Sequence, residues 1–377
     1  MGEFLELYKV IGVIFIAGGM LFSQYRKIHN FEYRIMGFTK TTLKKKILDA
    51  IGMGVLGGIL GTIVILLLGI KVRLGDFTYL LPVSLLLMMI NARYICFAYG
   101  GGLLGIMSLA LGVPRLDISS LMAIVGVLHL VESVLIWCDG HQHATPIFLE
   151  NEKYGVIGGF LLQRFWPIPL IVILVMIGVL EGNALPLHLS VMVAALGYSD
   201  IALSSTPREK SQKSAIRLLI YSLMLISFSM MARQYIMFRW ISVVFALLGH
   251  EGLVLWGQRE EQKKAPLFRH HHRGITILDV KKDQFGEKID LYPGDVILRM
   301  NNQQMDHKED IGRILSGLPK GIWMEVMDTG GKYRTIEYKN EYGIHHLGLI
   351  IVPKTSSVIF ELNLSASFVK RWIERIK

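Results

Sequence analysis

A polytopic α-helical membrane bundle followed by a small α+β domain is the fold class this sequence predicts. Three observations predict it. Residues of the AVILMFWYC set make up 52% of the 377-residue chain and charged residues only 19%, against about 25% in soluble domains. Charge is also unevenly spread. Met1–Trp256 holds 20 Lys+Arg and 14 Asp+Glu, whereas the shorter Gly257–Lys377 holds 20 and 16. Finally, long apolar runs give way near Arg273 to short β-branched runs separated by turn residues.

The apolar part, residues 1–256, divides into nine runs: Leu7–Phe22, Ile47–Ile70, Phe77–Ile90, Phe97–Val113, Leu116–Trp137, Trp166–Leu180, Leu185–Leu203, Ala215–Ala232 and Met237–Trp256. A span needs about 20 apolar residues, so nine helices are expected, the short third and fourth forming a re-entrant pair as an alternative. The first residues carry Glu3 and Glu6 rather than a basic segment, and no A-x-A site follows, which argues against a cleavable signal peptide. Ser23–Lys46 carries seven basic residues and Ser204–Arg217 four. The positive-inside rule then puts both loops, and everything after Trp256, in the cytoplasm, with the N-terminus outside. The net charge of +10 is accounted for by such loops, so nucleic acid is not expected as a partner; the lipid bilayer is.

Gly54–Gly58 and Gly57–Gly61 have small-xxx-small spacing. They predict tight helix packing or contacts within a homo-oligomer. Two cysteines, Cys96 and Cys138, exclude a disulfide framework and read as small apolar residues. Ionisable residues inside apolar runs are costly and face protein or a cavity. His129 and Glu132 share a helical face, and His250 and Glu251 lie in the last run; Arg93, Glu181, His188 and Asp200 lie nearer run ends. Such groups make either a metal or proton site or interhelical pairs. His250-Glu251 begins the H-E-x-x-H of zinc proteases, but Val254 stands where the second His is needed. No serine-protease, P-loop or dinucleotide fingerprint is present, so no catalytic residue, metal or cofactor is assigned. Asp139–His143, with two histidines in a loop, reads as a turn.

Residues 257–272 form a polar connector ending in His270–His272. Residues 273–353 follow as a folded domain. Gly274–Val280 reads as a strand, Leu291–Asn302 as turn, strand and turn, and Asp306–Leu318 as a helix capped by Asp306 with Glu309. Gly321–Asp328 and Tyr333–Lys339 form a hairpin about Thr329–Lys332, and His346–Val352 is a further strand. This order, with Leu-Tyr-Pro-Gly-Asp-Val-Ile in Leu291–Ile297, resembles a bacterial PDZ domain across Arg273–Lys339, with Asn302 where Gly is usual and Lys288–Asp290 where A-A-G is usual.

The resemblance implies peptide binding by strand addition. Arg273, Gly274, Ile275 and Thr276 would form the carboxylate-loop region, Ile275–Leu278 (with Ile277) the pairing edge, and Ile311, Ile314 and Leu315 the far wall. At least one of those three must fill the core. Asp295 would bond backbone amides in its turn. A multi-span region followed by one cytoplasmic PDZ domain resembles the division-site topology determinants of Gram-positive bacteria, the MinJ type. That resemblance implies a non-enzymatic scaffold at septum and poles, bridging a DivIVA-like polar scaffold to a MinD-like inhibitor ATPase. A transporter, or a protease-related protein with a regulatory PDZ domain, is the alternative. Residues 354–377 read as an amphipathic tail. Phe368, Trp372 and Ile376 share one face beside Lys370, Arg371, Arg375 and Lys377, a pattern suited either to the membrane interface or to docking on the PDZ domain.

Overall fold

A computed structural model of the chain describes residues 2–175, 187–281 and 284–354. The expected tail helix and Glu181 lie outside them. In chain order the first part comprises α1 (Gly2–Met36), α2 (Leu43–Leu67), β1 (Lys71–Arg73), α3 (Leu74–Ile90), a 3₁₀ turn Ala92–Ile95, α4 (Phe97–Leu111) and α5 (Ile118–Asp139). Then come β2 (Thr145–Asn151), β3 (Gly155–Val175), β4 (Leu187–Ala202), α6 (Pro207–Met231) and α7 (Ile236–Lys263). Among the described residues, α2, α5, α6 and α7 are long and apolar enough to cross a membrane, and α4 is a shorter apolar helix.

Local signals set the helix starts. The Thr42 hydroxyl accepts from Lys45 N, Asp117 accepts from Ser120 N, and Thr206 forms a reciprocal capping box with Glu209, followed by Pro207. The α5 helix is the centre of the bundle and is buried on nearly all sides. Its Gly126 lets α6 approach, since a Cβ there would meet Ile226 Cγ1 at 2.7 Å.

Two of the nine expected helices are strands. The described parts of Trp166–Leu180 and Leu185–Leu203 fall on β3 and β4, which pair antiparallel from Phe160↔Ala202 to Val175↔Leu187. Two prolines two residues apart, Pro167 and Pro169, oppose a helix interior there. On its other side β3 pairs with β2 through Leu161 and with β1 from Ile173. Between those partners its edge lies against α2. N–H groups of alternate strand residues face the same side. Phe165 N donates to the Tyr25 hydroxyl at 3.2 Å, Ile171 N donates to Thr62 Oγ1 at 3.0 Å, and Pro167 and Pro169 between them have no N–H to satisfy. Their carbonyls point at the small-residue face of α2. A Cβ on Gly54 or Gly58 would lie 2.1 Å from the oxygen of Pro167 or Pro169. Gly57 instead meets Val131 and Leu135 of α5, and Gly61 lies between Leu170 of β3 and Val131 of α5, so the glycine spacing serves close packing against both a strand and a second helix.

A buried carboxylate locks this layer to α5. Asp139 accepts from Arg164 Nε and Trp166 Nε1, each at 2.7 Å. The α1 and α2 helices are joined by the buried Lys46–Glu32 pair.

The C-terminal part contains β5 (Ile275–Val280), α8 (Phe285–Lys288), β6 (Val296–Met300), β7 (Gln303–Gln304), α9 (Lys308–Ser316), β8 (Gly321–Met327), β9 (Tyr333–Lys339) and β10 (Leu349–Ile351). They form a sheet of order β10-β5-β6-β8-β9, with β7 added to β6. Its core includes Ile277, Ile297, Met300, Met305, Met324 and Val326. The α9 helix starts later than expected, with His307 at the N-cap and Asp310, rather than Glu309, closing back on it: Asp310 Oδ2 accepts from Asp306 N and His307 N.

The two parts share one apolar core. Phe268 is fully buried between them and stacks edge-on to Phe160 at 5.3 Å. Leu278 and Val352 join the same cluster over Gly158, whose missing Cβ makes room for all three side chains. Backbone bonds Gly158 N to Phe268 O (2.7 Å) and Leu267 N to Leu203 O (2.8 Å) fix the connector to the hairpin. Lys40 forms an ion pair with Asp279, and Lys281 lies over the Phe38 ring.

Gly58→Leu should therefore displace β3 and lower the thermal midpoint of the detergent-solubilised protein, overpacking costing about 1–3 kcal/mol. Gly52→Ala, on the same helix with nothing within 4 Å of an added Cβ, should be neutral or stabilising. Equal midpoints for wild type and Gly58→Leu would contradict the packing described.

Candidate functional site

Two groups of residues carry chemistry or binding capacity. The first is the β10 edge of the C-terminal sheet, unpaired on its outer side among the described residues. Ile275–Leu278 is not that edge: β5 lies inside the sheet, with Ile275 paired to Ile297 and Ile277 to Ile351. Both flanks of β5 are hydrogen-bonded, Ile277 N donating to Asp295 O and Val352 N to Thr276 O. Thr276 is buried and its hydroxyl donates to Arg269 O at 2.8 Å. Gly274, at φ +117°, packs on Val296 and leads into the inner strand, while Arg273 is exposed. The expected pairing edge is thus interior, because a later strand pairs with Thr276–Val280, while Arg273 at the start of the expected carboxylate-loop region stays exposed.

That later strand, β10, is one of the two terminal strands in the sheet order of the described residues, β9 being the other. It is entered through Gly348 at φ +71°, a conformation that favours glycine. Gly348 O and Val352 N bond to β5, so by the two-residue alternation Leu349 and Ile351 turn their backbone groups outward. Beyond β10, Lys354 Nζ donates to His307 Nε2 at 3.3 Å, bringing the end of the strand to the start of α9. On α9 only Leu315 is buried, so it is the residue that fills the core; Ile311 and Ile314 are half-buried around that core, as are Leu349 and Ile351. Asp295, as expected, accepts from a backbone amide, Tyr292 N at 3.0 Å, and also from Arg334.

The second group lies in the bundle. His129 of α5 and His250 of α7 have ring centroids 5.3 Å apart. Cys96, at the N-cap of α4, sits between them: its Sγ is 3.1 Å from His129 Nε2 and 3.7 Å from His250 Nε2. His129 Nδ1 is 2.7 Å from the carbonyl of Val125 and donates to it, leaving Nε2 with its lone pair. Tyr99 and Tyr221 pack edge-on against the imidazoles. Glu251 points into a separate network, accepting from the Tyr99 hydroxyl at 2.6 Å and from Arg93 at 2.9 Å. Glu132 follows His129 by one turn on α5.

His129 and His250 are singled out by their place in apolar runs; Cys96 reads in sequence as a small apolar residue, and only the fold brings it to them. The Asp139–His143 turn is structural, with His143 bonded to Thr41 and Asp49 and Asp139 to Arg164. Asp200 is held by Ser214 and Lys210.

No family model matches the chain. The chain is similar to the cell division topological determinant MinJ of Bacillus subtilis (strain 168), at 22% identity over 245 residues. The match covers 60% of this chain and 60% of that relative, so the chain spans about 60% of the length of the curated protein it matches.

The Asp310 cap makes α9 sensitive to pH. Its backbone bonds from His307 and Asp306 hold the carboxyl below its ordinary value of 3.8. A pKa lowered by folding contributes stability above the unfolded value, and that contribution is lost as pH falls through the folded one. Asp310→Ala should cost on the order of 0.5–1 kcal/mol at neutral pH, as cap losses do. The difference from wild type should shrink below about pH 4 in thermal melts. A difference independent of pH would refute the cap's ionic character.

Proposed function

We propose that this chain is a non-enzymatic membrane scaffold whose C-terminal domain is a cytoplasmic PDZ module. It recruits division proteins by adding an extended segment to β10. The observation that carries this reading is the terminal position of β10, with Leu349 and Ile351 offering backbone groups outward and half-buried apolar residues on β10 and α9 available as side-chain pockets. Backbone bonds along such an edge give affinity, and alternate side chains give specificity. The MinJ similarity supports a role in division-site control. Partners of the DivIVA-like and MinD-like kinds, and enrichment at septum and poles, follow from that reading.

Sidedness has its own support. Ser204 N and Leu203 N donate to Glu261, Lys210 pairs with Glu261, Arg217 pairs with Glu260, and Lys40 pairs with Asp279. The basic segments at the starts of α2 and α6 therefore lie at the same end of the bundle as the C-terminal domain. The positive-inside rule makes that end cytoplasmic.

Two measurements follow. Ile351→Pro removes an outward donor while leaving the Val352 and Gly348 bonds to β5 in place. In full-length protein in lipid nanodiscs it should abolish partner binding without changing circular dichroism. Undiminished binding by the folded variant would overturn strand addition at β10. Alkaline phosphatase fused after Lys377, active only outside the cytoplasm, should be silent; an active fusion would reverse the orientation.

A further inference from the structure

We propose that Cys96, His129 and His250 form a zinc site within the helical bundle. The ligand atoms Sγ, Nε2 and Nε2 lie within 4.8 Å of one another. Zn–S and Zn–N bonds of about 2.3 and 2.0–2.1 Å at tetrahedral angles place sulfur and nitrogen about 3.6 Å apart. The observed 3.1 and 3.7 Å bracket that spacing. Three separate helices, α4, α5 and α7, supply the ligands, so the ion would pin the bundle at one point.

The surroundings match those of a metal-binding imidazole. His129 Nδ1 donates to Val125 O at 2.7 Å, the outer bond that fixes tautomer and ring plane in metal sites. Both imidazole Nε2 atoms converge on one sulfur, and His250 Nδ1 is buried with no hydrogen-bond partner among the described residues; a cation between the three ligand atoms would be held by all of them. His129 is 2% exposed, and the Tyr99 and Tyr221 rings enclose the imidazoles. One thiolate with two imidazoles suits a borderline-soft d¹⁰ cation better than calcium or magnesium, which take oxygen ligands.

Binding breaks the Cys96 S–H bond, releases that proton to solvent and forms the S–Zn bond, so affinity rises with pH. Thiolate and dication leave one positive charge, which the carboxylate of Glu132, one turn from His129, offsets. The fourth coordination position is left to a non-protein donor such as water.

The test uses the full chain in detergent or nanodiscs, exposed to Zn²⁺, desalted and assayed for metal, with Co²⁺ as a spectroscopic probe. About one zinc per chain is expected for wild type and for Cys138→Ser, falling at least tenfold in Cys96→Ser and His250→Gln. Co²⁺ should give a thiolate charge-transfer band in Cys138→Ser, where Cys96 is the remaining cysteine; this arm holds even if Cys96→Ser fails to fold. Monodisperse wild type that retains no zinc and shows no band would overturn the proposal in favour of a thiol–imidazole hydrogen bond alone. Equal zinc in folded Cys96→Ser would also overturn it, assigning the metal to other groups such as His270–His272.

Discussion

The architecture depends on how an apolar strand satisfies its backbone where no neighbouring strand pairs with it. Between its partners β2 and β1, β3 exposes one edge to α2. An unpaired amide away from water costs free energy comparable to a lost hydrogen bond. Pro167 and Pro169 bring no donor to that edge, and Tyr25 and Thr62 take the amides of Phe165 and Ile171. The carbonyls close on Gly54 and Gly58, where backbone can touch backbone. Larger residues on the helix, such as Leu56 and Ile59, turn outward. The face of α2 that packs is thus defined by what it lacks.

The hairpin built this way is the platform on which the C-terminal domain sits. Phe268, Leu278 and Val352 complete a core begun by the bundle, and Gly158 admits them. Because Val352 directly follows β10, docking on the hairpin also sets the position of the open edge. A partner captured there would be held at a fixed place relative to the helices. The Lys40–Asp279 pair and the contact of Lys281 with Phe38 add constraints at the same junction.

Much of this was legible in the sequence, and the failures have physical causes. The α2, α5, α6 and α7 helices were visible as long apolar runs, and the strands of the C-terminal domain as short β-branched runs bounded by Gly, Pro and Asn. Trp166–Leu180 and Leu185–Leu203 misled because, although burial alternates along the described residues of β3 and β4, much of the outward face is apolar too (Pro167, Pro169, Ile171, Val193, Ala195), so the period-2 signal is lost. Pro167-x-Pro169 was the signal that separates the two. That Ile275–Leu278 lies inside the sheet could not be read from it because sheet order is non-local: nothing within that segment reveals that Leu349–Val352 will pair with it. The meeting of Cys96 with His129 and His250 depends on three helices crossing, so only the paired intramembrane histidines could be singled out beforehand.

Cysteine cross-linking between residues 163–170 and 192–199 tests the hairpin most directly. Opposed residues of antiparallel strands have Cα atoms about 4.5–5.5 Å apart, within the range a disulfide spans. The account predicts that Gln163/Ser199, Phe165/Gly197 and Ile168/Ala194, each a directly opposed pair, all cross-link in membranes. Cross-links recurring only every third or fourth residue would show two packed helices and contradict the strand platform on which the rest is built.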